Sequence, residues 1–344
     1  MRDGAMTKQG GRRWRRWLIG LLVVLVALGG GAYLGVSFMI YDSLGKAPRA
    51  CWEADRANTP QKFAIPKPFD ATLATTYAMP APQDVTFHSR DPQIPDANLA
   101  AWWIPSAAAA AATADAPAVV LVHGIKSCRR ESGVLLAAGM LYKAGFSVFL
   151  LDLRDHGDSQ GDDGRFSGGT EEYLDVLGGW DWVRSTGVPA AKIGIAGFSF
   201  GSGNVMIAAG HEPQVAAAWV DSGYTMTEKA IGLFLKDQSG LPDLFVPGAL
   251  LWANLVAHDN LIAFNPITEV TKLSGRSIAF VHGATDKVLP ASMANELRAA
   301  AVAAGAKSPD VWIVPGAGHT QSFFIDPAGY NQRLTTFFRQ ALGS

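Results

Sequence analysis

Apolar residues fall along this chain in three different patterns, and each predicts a different kind of structure. From Trp17 to Tyr41 the run WLIGLLVVLVALGGGAYLGVSFMIY carries no charge. At about 1.5 Å per residue, a helix of that length exceeds the roughly 30 Å of hydrocarbon in a bilayer, so the pattern predicts one transmembrane helix over 17–41. Residues 42–82 are rich in proline and alanine with little periodicity, and read as a stalk between that helix and the remainder of the chain. From Asp84 onward short apolar runs recur. DVTFHS and NLAAWWIP alternate like the two arms of a hairpin, whereas AVVLVHG, SVFLLDL, KIGIAGF, VAAAWVD, SIAFVHG and DVWIVPG are apolar almost throughout, as strands buried on both faces are. Between them, ESGVLLAAGMLYKAG and TEEYLDVLGGWDWVRST have helical patterning. Alternating strand and helix predict one α/β domain over 83–344, with a mostly parallel central sheet and helices on both faces. The run SAAAAAATADAP, set between Pro105 and Pro117, is expected to be a surface loop.

Between the strand ending at Asp221 and the one beginning at Ser277 lies a connection far longer than usual. This insertion, about 223–276, contains GLFLKDQSGLPDLFVPGALLWANLV. Short helices forming a lid over an acyl pocket account for that composition, and so does ordinary packing on the core.

Charge and cysteines add compartment and exclude partners. A formal net charge of −1 gives no electrostatic footprint for nucleic acid. Arg12, Arg13, Arg15 and Arg16 precede the apolar run; the positive-inside rule then keeps residues 1–16 as a cytoplasmic tail and exports the domain to the periplasmic or extracellular side. The rival is a cleaved signal peptide, for which Gly29, Gly30 and Gly31 supply small residues. Cys51 and Cys128 are too few for a disulfide scaffold and lack zinc-site spacing. Two unpaired thiols are the expectation, one disulfide the less favoured alternative.

Candidate chemistry begins with a motif that occurs twice. G-x-S-x-G appears as GDSQG at 157–161 and as GFSFG at 197–201. A nucleophile elbow needs a strand before the serine and a helix after it, and GFSFG lies between KIGIAG and SGNVMIAAG. GDSQG instead leads into the polar, glycine-rich DDGRFSGG. Ser199 is therefore the expected nucleophile, flanked by Gly197 and Gly201, and Ser159 a turn residue bonded to backbone.

A serine hydroxyl needs a histidine to take its proton and a carboxylate to orient that histidine. Asp286, just after the strand SIAFVHG, and His319, just after DVWIVPG, follow Ser199 in the order this architecture requires and end at the same sheet edge. HGIK ends the first strong strand. There His123 and Gly124 shape a bend, and the N–H groups of Ile125 and Phe200 are expected to form the oxyanion hole. Lys126 is expected to be a solvated surface lysine, with a place lining the entrance as the less favoured alternative. The expected activity is acyl transfer to water on a small-molecule or lipid-like ester, without metal or organic cofactor. A peptidase, amidase or thioesterase on the same triad, and a silent binding protein, are the alternatives. Since no candidate catalytic group precedes Gly124, deleting residues 1–42 is expected to leave a soluble, active domain.

Taken in order, HGIK, DLRDHGDSQG, GFSFG, HGATDKV and GAGH make the chain resemble the α/β-hydrolase family over about 84–342, and within it the membrane-anchored Bem46-like serine hydrolases. The resemblance implies an α/β-hydrolase fold, with an N-terminal antiparallel hairpin and a small lid insertion. It further implies that Asp152, Arg154 and Gly157 order a structural turn beside the site. An aspartate in place of Ser199 would mark a dehalogenase or epoxide hydrolase; a serine stands there.

Overall fold

The computed structural model describes residues 9–47, 51–110, 116–161, 163–308 and 310–343. Strands β1 (Gln83–Phe87), β2 (Leu99–Ile104), β3 (Ala118–Val122), β4 (Ser147–Leu151), β5 (Ile193–Phe198), β6 (Ala217–Asp221), β7 (Ser277–Gly283) and β8 (Trp312–Val314) coincide with the apolar runs. They form an eight-stranded sheet in the order β1-β2-β4-β3-β5-β6-β7-β8. The pairings of β2 with β1 and with β4 are antiparallel, and from β4 to β8 every neighbouring pair is parallel.

Two-residue alternation along the strands divides the core between two layers of helices. Val120, Val122, Ile193 and Ile195 face α3 (Glu172–Ser185), α4 (Phe200–His211) and α7 (Ser292–Ala303), meeting Trp180, Val205 and Leu297. Val119, Leu121, Ala196 and Phe198 face α2 (Ser132–Lys143) and α8 (Pro327–Leu342), meeting Leu135, Met140, Leu334 and Phe338. Each valine, leucine, isoleucine, methionine or phenylalanine among them, buried fully, contributes about 1.5–3 kcal/mol. The sheet edge that carries the loops after β3, β5, β7 and β8 is thereby held on a rigid base.

Three expectations change. Residues 51–82 do not hang as a free tether. Phe63, Leu73 and Met79 are buried in the α2–α8 layer, Ser132 Oγ donates to Asp55 Oδ1 at 2.7 Å, and Cys51 is bonded to Cys128. A few scattered anchors hold an irregular segment, and scattered anchors leave no period to read. The expected loop at 106–117 begins with a helical turn, Ala107–Ala110, while 111–115 lie outside the described residues, as do 1–8 of the basic tail. Finally, the apolar helix is longer than 17–41: α1 runs Gln9–Leu44.

Over Trp14–Leu28 the α1 side chains are exposed, but from Tyr33 onward α1 packs on the insertion between β6 and β7. That insertion contains α5 (Thr227–Ser239), α6 (Val246–Trp252) and a π-helical turn, Ala253–Ala257. Ile40 and Tyr41 share a buried cluster with Leu235, Val246 and Ala249. Cutting at residue 42 would remove Ile40 and Tyr41 from that cluster, so the expected boundary there falls inside a packed unit.

Candidate active site

Ser199 sits in the turn from β5 to α4 with φ 53° and ψ −116°, a left-handed conformation that costs of order 1–3 kcal/mol for a residue with a side chain. Its surroundings enforce it. A Cβ on Gly197 would overlap the Gly201 carbonyl, and one on Gly201 would overlap the carbonyls of Val122 and His123, so the strand and helix meet this tightly because both flanking residues are glycine. Ser199 N–H donates to the Asp221 carbonyl at 3.0 Å, and its half-exposed side chain is left to face the loop after β8.

That loop brings His319. Its Nε2 lies 2.7 Å from Ser199 Oγ and its Nδ1 2.7 Å from Asp286 Oδ2. Asp286, three residues beyond β7, is fixed in turn: Oδ1 accepts from the N–H groups of Val288 and Leu289, both at 2.9 Å, and Oδ2 lies 3.1 Å from His282 Nε2. Burial pushes the Asp286 carboxyl up, but the bonds from His282, His319 and Leu289 outweigh it and hold the group well below the usual carboxylate range. With Asp286 ionised, His319 Nδ1 carries the proton and Nε2 faces the serine as an acceptor. The three residues that spacing singled out thus meet in one hydrogen-bonded line.

The loop after β3 passes close by. A Cβ on Gly124 would lie 3.5 Å from Ser199 Cβ, so the backbone carries Ile125 past the serine while Phe200 opens α4, where an N–H has no intrahelical acceptor. His123 shapes that bend. It is fully buried; Nδ1 lies 2.7 Å from the Gly124 carbonyl, and Nε2 accepts from Leu153 N–H at 3.1 Å. Burial, with the neighbouring His156, pushes its pKa down to about 3, so the ring is neutral and its role is to hold backbone.

Three neighbours of the site gave no signal in the sequence, and a fourth, Lys126, was expected in solvent. His156 binds the Arg154 carbonyl through Nδ1 at 2.7 Å and accepts from Lys126 N–H at 3.3 Å, fixing the far end of the same loop. Ser222 Oγ takes the Thr320 N–H at 3.0 Å and donates to Asp221 Oδ1 at 2.9 Å, steadying the residue after His319. Burial pushes Asp221 up to about 6 against the bonds from Tyr330 and Ser222. Glu131, raised by burial against the bond from Ser127 Oγ, lines the cleft in front of Ser199. Lys126 lines it too, half-buried and lowered by that burial, and so is not the solvated lysine expected. All four act through tertiary contacts, which neighbouring residues in the sequence do not encode.

Ser159 lies elsewhere. Its Oγ donates to the Asp152 carbonyl at 2.7 Å and accepts from Ala100 N–H at 2.9 Å. Around it, Asp152 binds Arg129, and Arg154 is buried against Asp91 and Asp175. Gly157 has φ +54°, and a Cβ there would overlap the Asp152 carboxylate.

Two hollows meet at Ser199. One, of about 610 Å³, holds His319, Lys126, Glu131 and Gln238. The other, of about 80 Å³, is apolar and lined by Phe166, Phe200, Tyr224, Ile231, Phe234 and Leu289. Ile231 and Phe234 come from α5, so this part of the insertion covers the site, whereas Val270 at its far end packs in the core. Leu44, the last residue of α1, borders both hollows.

This strand order, with a serine elbow between β5 and its helix, defines an α/β hydrolase. Solved structures agree on the fold. An esterase from Pyrococcus furiosus superposes with a TM-score of 0.61 at 19% identity, covering 83% of this chain and 98% of that one. Est1E from Butyrivibrio proteoclasticus, solved with ferulic acid, gives 0.56 at 16% identity over 76% and 100% of the two chains. An acylaminoacyl peptidase from Pyrococcus horikoshii gives 0.55 at 17% over 79% of this chain and 44% of its own. The chain belongs to the prolyl oligopeptidase family, whose profile matches residues 136–344, and is a serine hydrolase of the ester- or peptide-cleaving type. No curated protein matches the sequence. The family match speaks to the superfamily and not to the narrower Bem46-like resemblance.

Proposed function

We propose that the chain is a membrane-anchored carboxylic ester hydrolase with Ser199 as nucleophile, His319 as base and acid, and Asp286 as the carboxylate that orients the imidazole. The observation that carries this reading is the line Asp286–His319–Ser199, closed by two 2.7 Å contacts onto a serine held at positive φ. In acylation, His319 Nε2 takes the hydroxyl proton as Ser199 Oγ bonds to the acyl carbon. The carbonyl oxygen becomes an oxyanion facing the N–H groups of Ile125 and Phe200. The acyl carbon–oxygen bond then breaks, and the proton on Nε2 leaves with the alcohol. Water, deprotonated by the same nitrogen, releases the carboxylic acid and restores the serine.

The apolar hollow supports an ester, since none of its lining side chains is charged, and a small or chain-like acyl group fits it better than a peptide terminus. The family match supports a second reading, cleavage of an amide or peptide bond by the same serine. Fluorophosphonate labelling of wild type and Ser199→Ala, with matched p-nitrophenyl esters and p-nitroanilides, separates them. Labelling confined to wild type and faster ester turnover are expected. Faster anilide turnover overturns the ester reading, and labelling that survives Ser199→Ala overturns the nucleophile.

The compartment follows from two supports. The arginines at the start of α1, ahead of its uncharged stretch, favour a cytoplasmic N-terminus, and the Cys51–Cys128 bond suits an oxidising, exported domain. Protease added to spheroplasts should then degrade the domain and spare the tail. Free protein in the medium, trimmed near Gly31, would replace the anchor by a cleaved signal.

A further inference from the structure

We propose that α6 and the π-helical turn after it enter the lipid layer that α1 crosses, so that the active site draws acyl esters from the bilayer itself. The proposal rests on the ester-hydrolase reading and adds the source of its substrate.

The seam between α1 and α6 carries the argument. Tyr33 Oη donates to the Leu244 carbonyl and accepts from Gly248 N–H, both at 3.1 Å, and Trp252 Nε1 donates to the Leu34 carbonyl at 3.0 Å. Tyr33 stacks on Phe245 with centroids 5.6 Å apart, and Phe38 meets Trp252 edge-on at 5.2 Å. A Cβ on Gly248 would overlap Ser37 Oγ, so the glycine sets how closely the two helices approach. The insertion is therefore fixed to α1 at a definite height.

That height lies inside the uncharged run. Asp42, paired with Lys46 at 2.7 Å and Arg165 at 3.0 Å, marks the aqueous end of α1. Leu34 lies about 12 Å further along the helix at 1.5 Å per residue, within the stretch that a bilayer covers if α1 spans it. A segment bonded there stands beside lipid headgroups and acyl chains rather than in bulk water.

Its surface has the matching chemistry. Leu244, Leu251, Leu255 and Val256 are 55%, 47%, 58% and 51% exposed, and no charged residue occurs from Leu244 to Ala257. Single exposed leucines are ordinary; a cluster on one short segment, continuous with the exposed apolar side chains of α1, is a membrane-facing patch. The apolar hollow at Ser199 is walled by the same two parts of the molecule, Leu44 from α1 and Ile231 and Phe234 from the insertion.

The test uses the full-length protein reconstituted in phosphatidylcholine vesicles. Both native cysteines are paired, so Leu251→Cys, Leu255→Cys and, on the exposed face of α8, Gln340→Cys each offer one site for an environment-sensitive dye. Dyes at 251 and 255 should shift to the blue and be quenched by lipids with spin-labelled acyl chains, while the dye at 340 is quenched by aqueous iodide. Iodide quenching at 251 and 255 equal to that at 340 overturns the proposal. In a second arm, Leu251→Asp/Leu255→Asp should hydrolyse dissolved p-nitrophenyl acetate within twofold of wild type, yet lose at least tenfold on a long-chain ester embedded in the vesicles. Unchanged vesicle turnover overturns it as well. Should the double variant misfold, the depth measurement, made without acidic substitutions, still decides. Fluorophosphonate labelling of Ser199 keeps the two readings apart: without it the hydrolase reading fails, whereas labelling together with water-exposed dyes sinks the lipid source alone.

Discussion

Two turns of this molecule share the pattern G-x-S-x-G and differ in what their serines face. At 157–161 Ser159 is 5% exposed, and a backbone carbonyl and a backbone N–H occupy both sides of its hydroxyl. At 197–201 the backbone needs are met without the hydroxyl, because the Ser199 N–H finds the Asp221 carbonyl and the Oγ is left to meet His319. The glycines differ in the same way. Gly157 makes room for the Asp152 carboxylate, whereas Gly197 and Gly201 let a strand and a helix close on each other. A serine becomes available for chemistry when the surrounding fold relieves it of structural bonds.

Four substitutions test that contrast. Ser199→Ala should lower ester turnover by on the order of 10⁶, with folding unchanged, as removing a triad nucleophile does; a loss below tenfold breaks the comparison at once. Asp286→Asn should cost about 10⁴ in kcat through the wrong histidine tautomer, and steady-state kinetics showing a wild-type rate would place the orienting carboxylate elsewhere. Ser159→Ala is expected to do the opposite. It strands the Ala100 N–H and should lower unfolding stability by about 1–3 kcal/mol, measured by urea titration, while kcat stays within twofold.

The smallest effect concerns His123, which ties the two regions together through Gly124 and Leu153. Its folded pKa lies at about 3 against an ordinary 6.5. The unfolded chain therefore takes up a proton that the fold refuses as pH drops below about 6.5. The stability due to neutral His123 is present above that pH and is lost, at up to about 1.4 kcal/mol per unit, as pH falls toward about 3. His123→Gln should flatten this acid limb in melting experiments between pH 7 and 4. An unchanged limb would show that the ring is not held neutral.

Much of this was legible because it is periodic. All eight strands answer to apolar runs, and Ser199, Asp286 and His319 could be placed because each follows a strand that is easily read. The remainder depends on partners distant in sequence. Nothing near Cys51 points to Cys128, and nothing in an apolar run says that its last third, from Tyr33 on, packs on residues 244–252. Lys126 was expected in solvent, whereas it lines the cleft beside Glu131 together with Asp55, Ala64 and Pro66 of the segment 51–82 and Leu44 of α1, all far from it in the sequence.

The contact of Tyr33 and Leu34 with residues 244–252 also orders events during synthesis. The ribosome makes α1 first, and roughly two hundred residues must be added before its partner exists. Through that interval Tyr33, Ser37, Ile40 and Tyr41 lack the surface that later covers them. Because Leu44 borders the hollow beside Ser199 together with Ile231 and Phe234, the wall of that pocket is complete only once the chain's beginning has joined its middle.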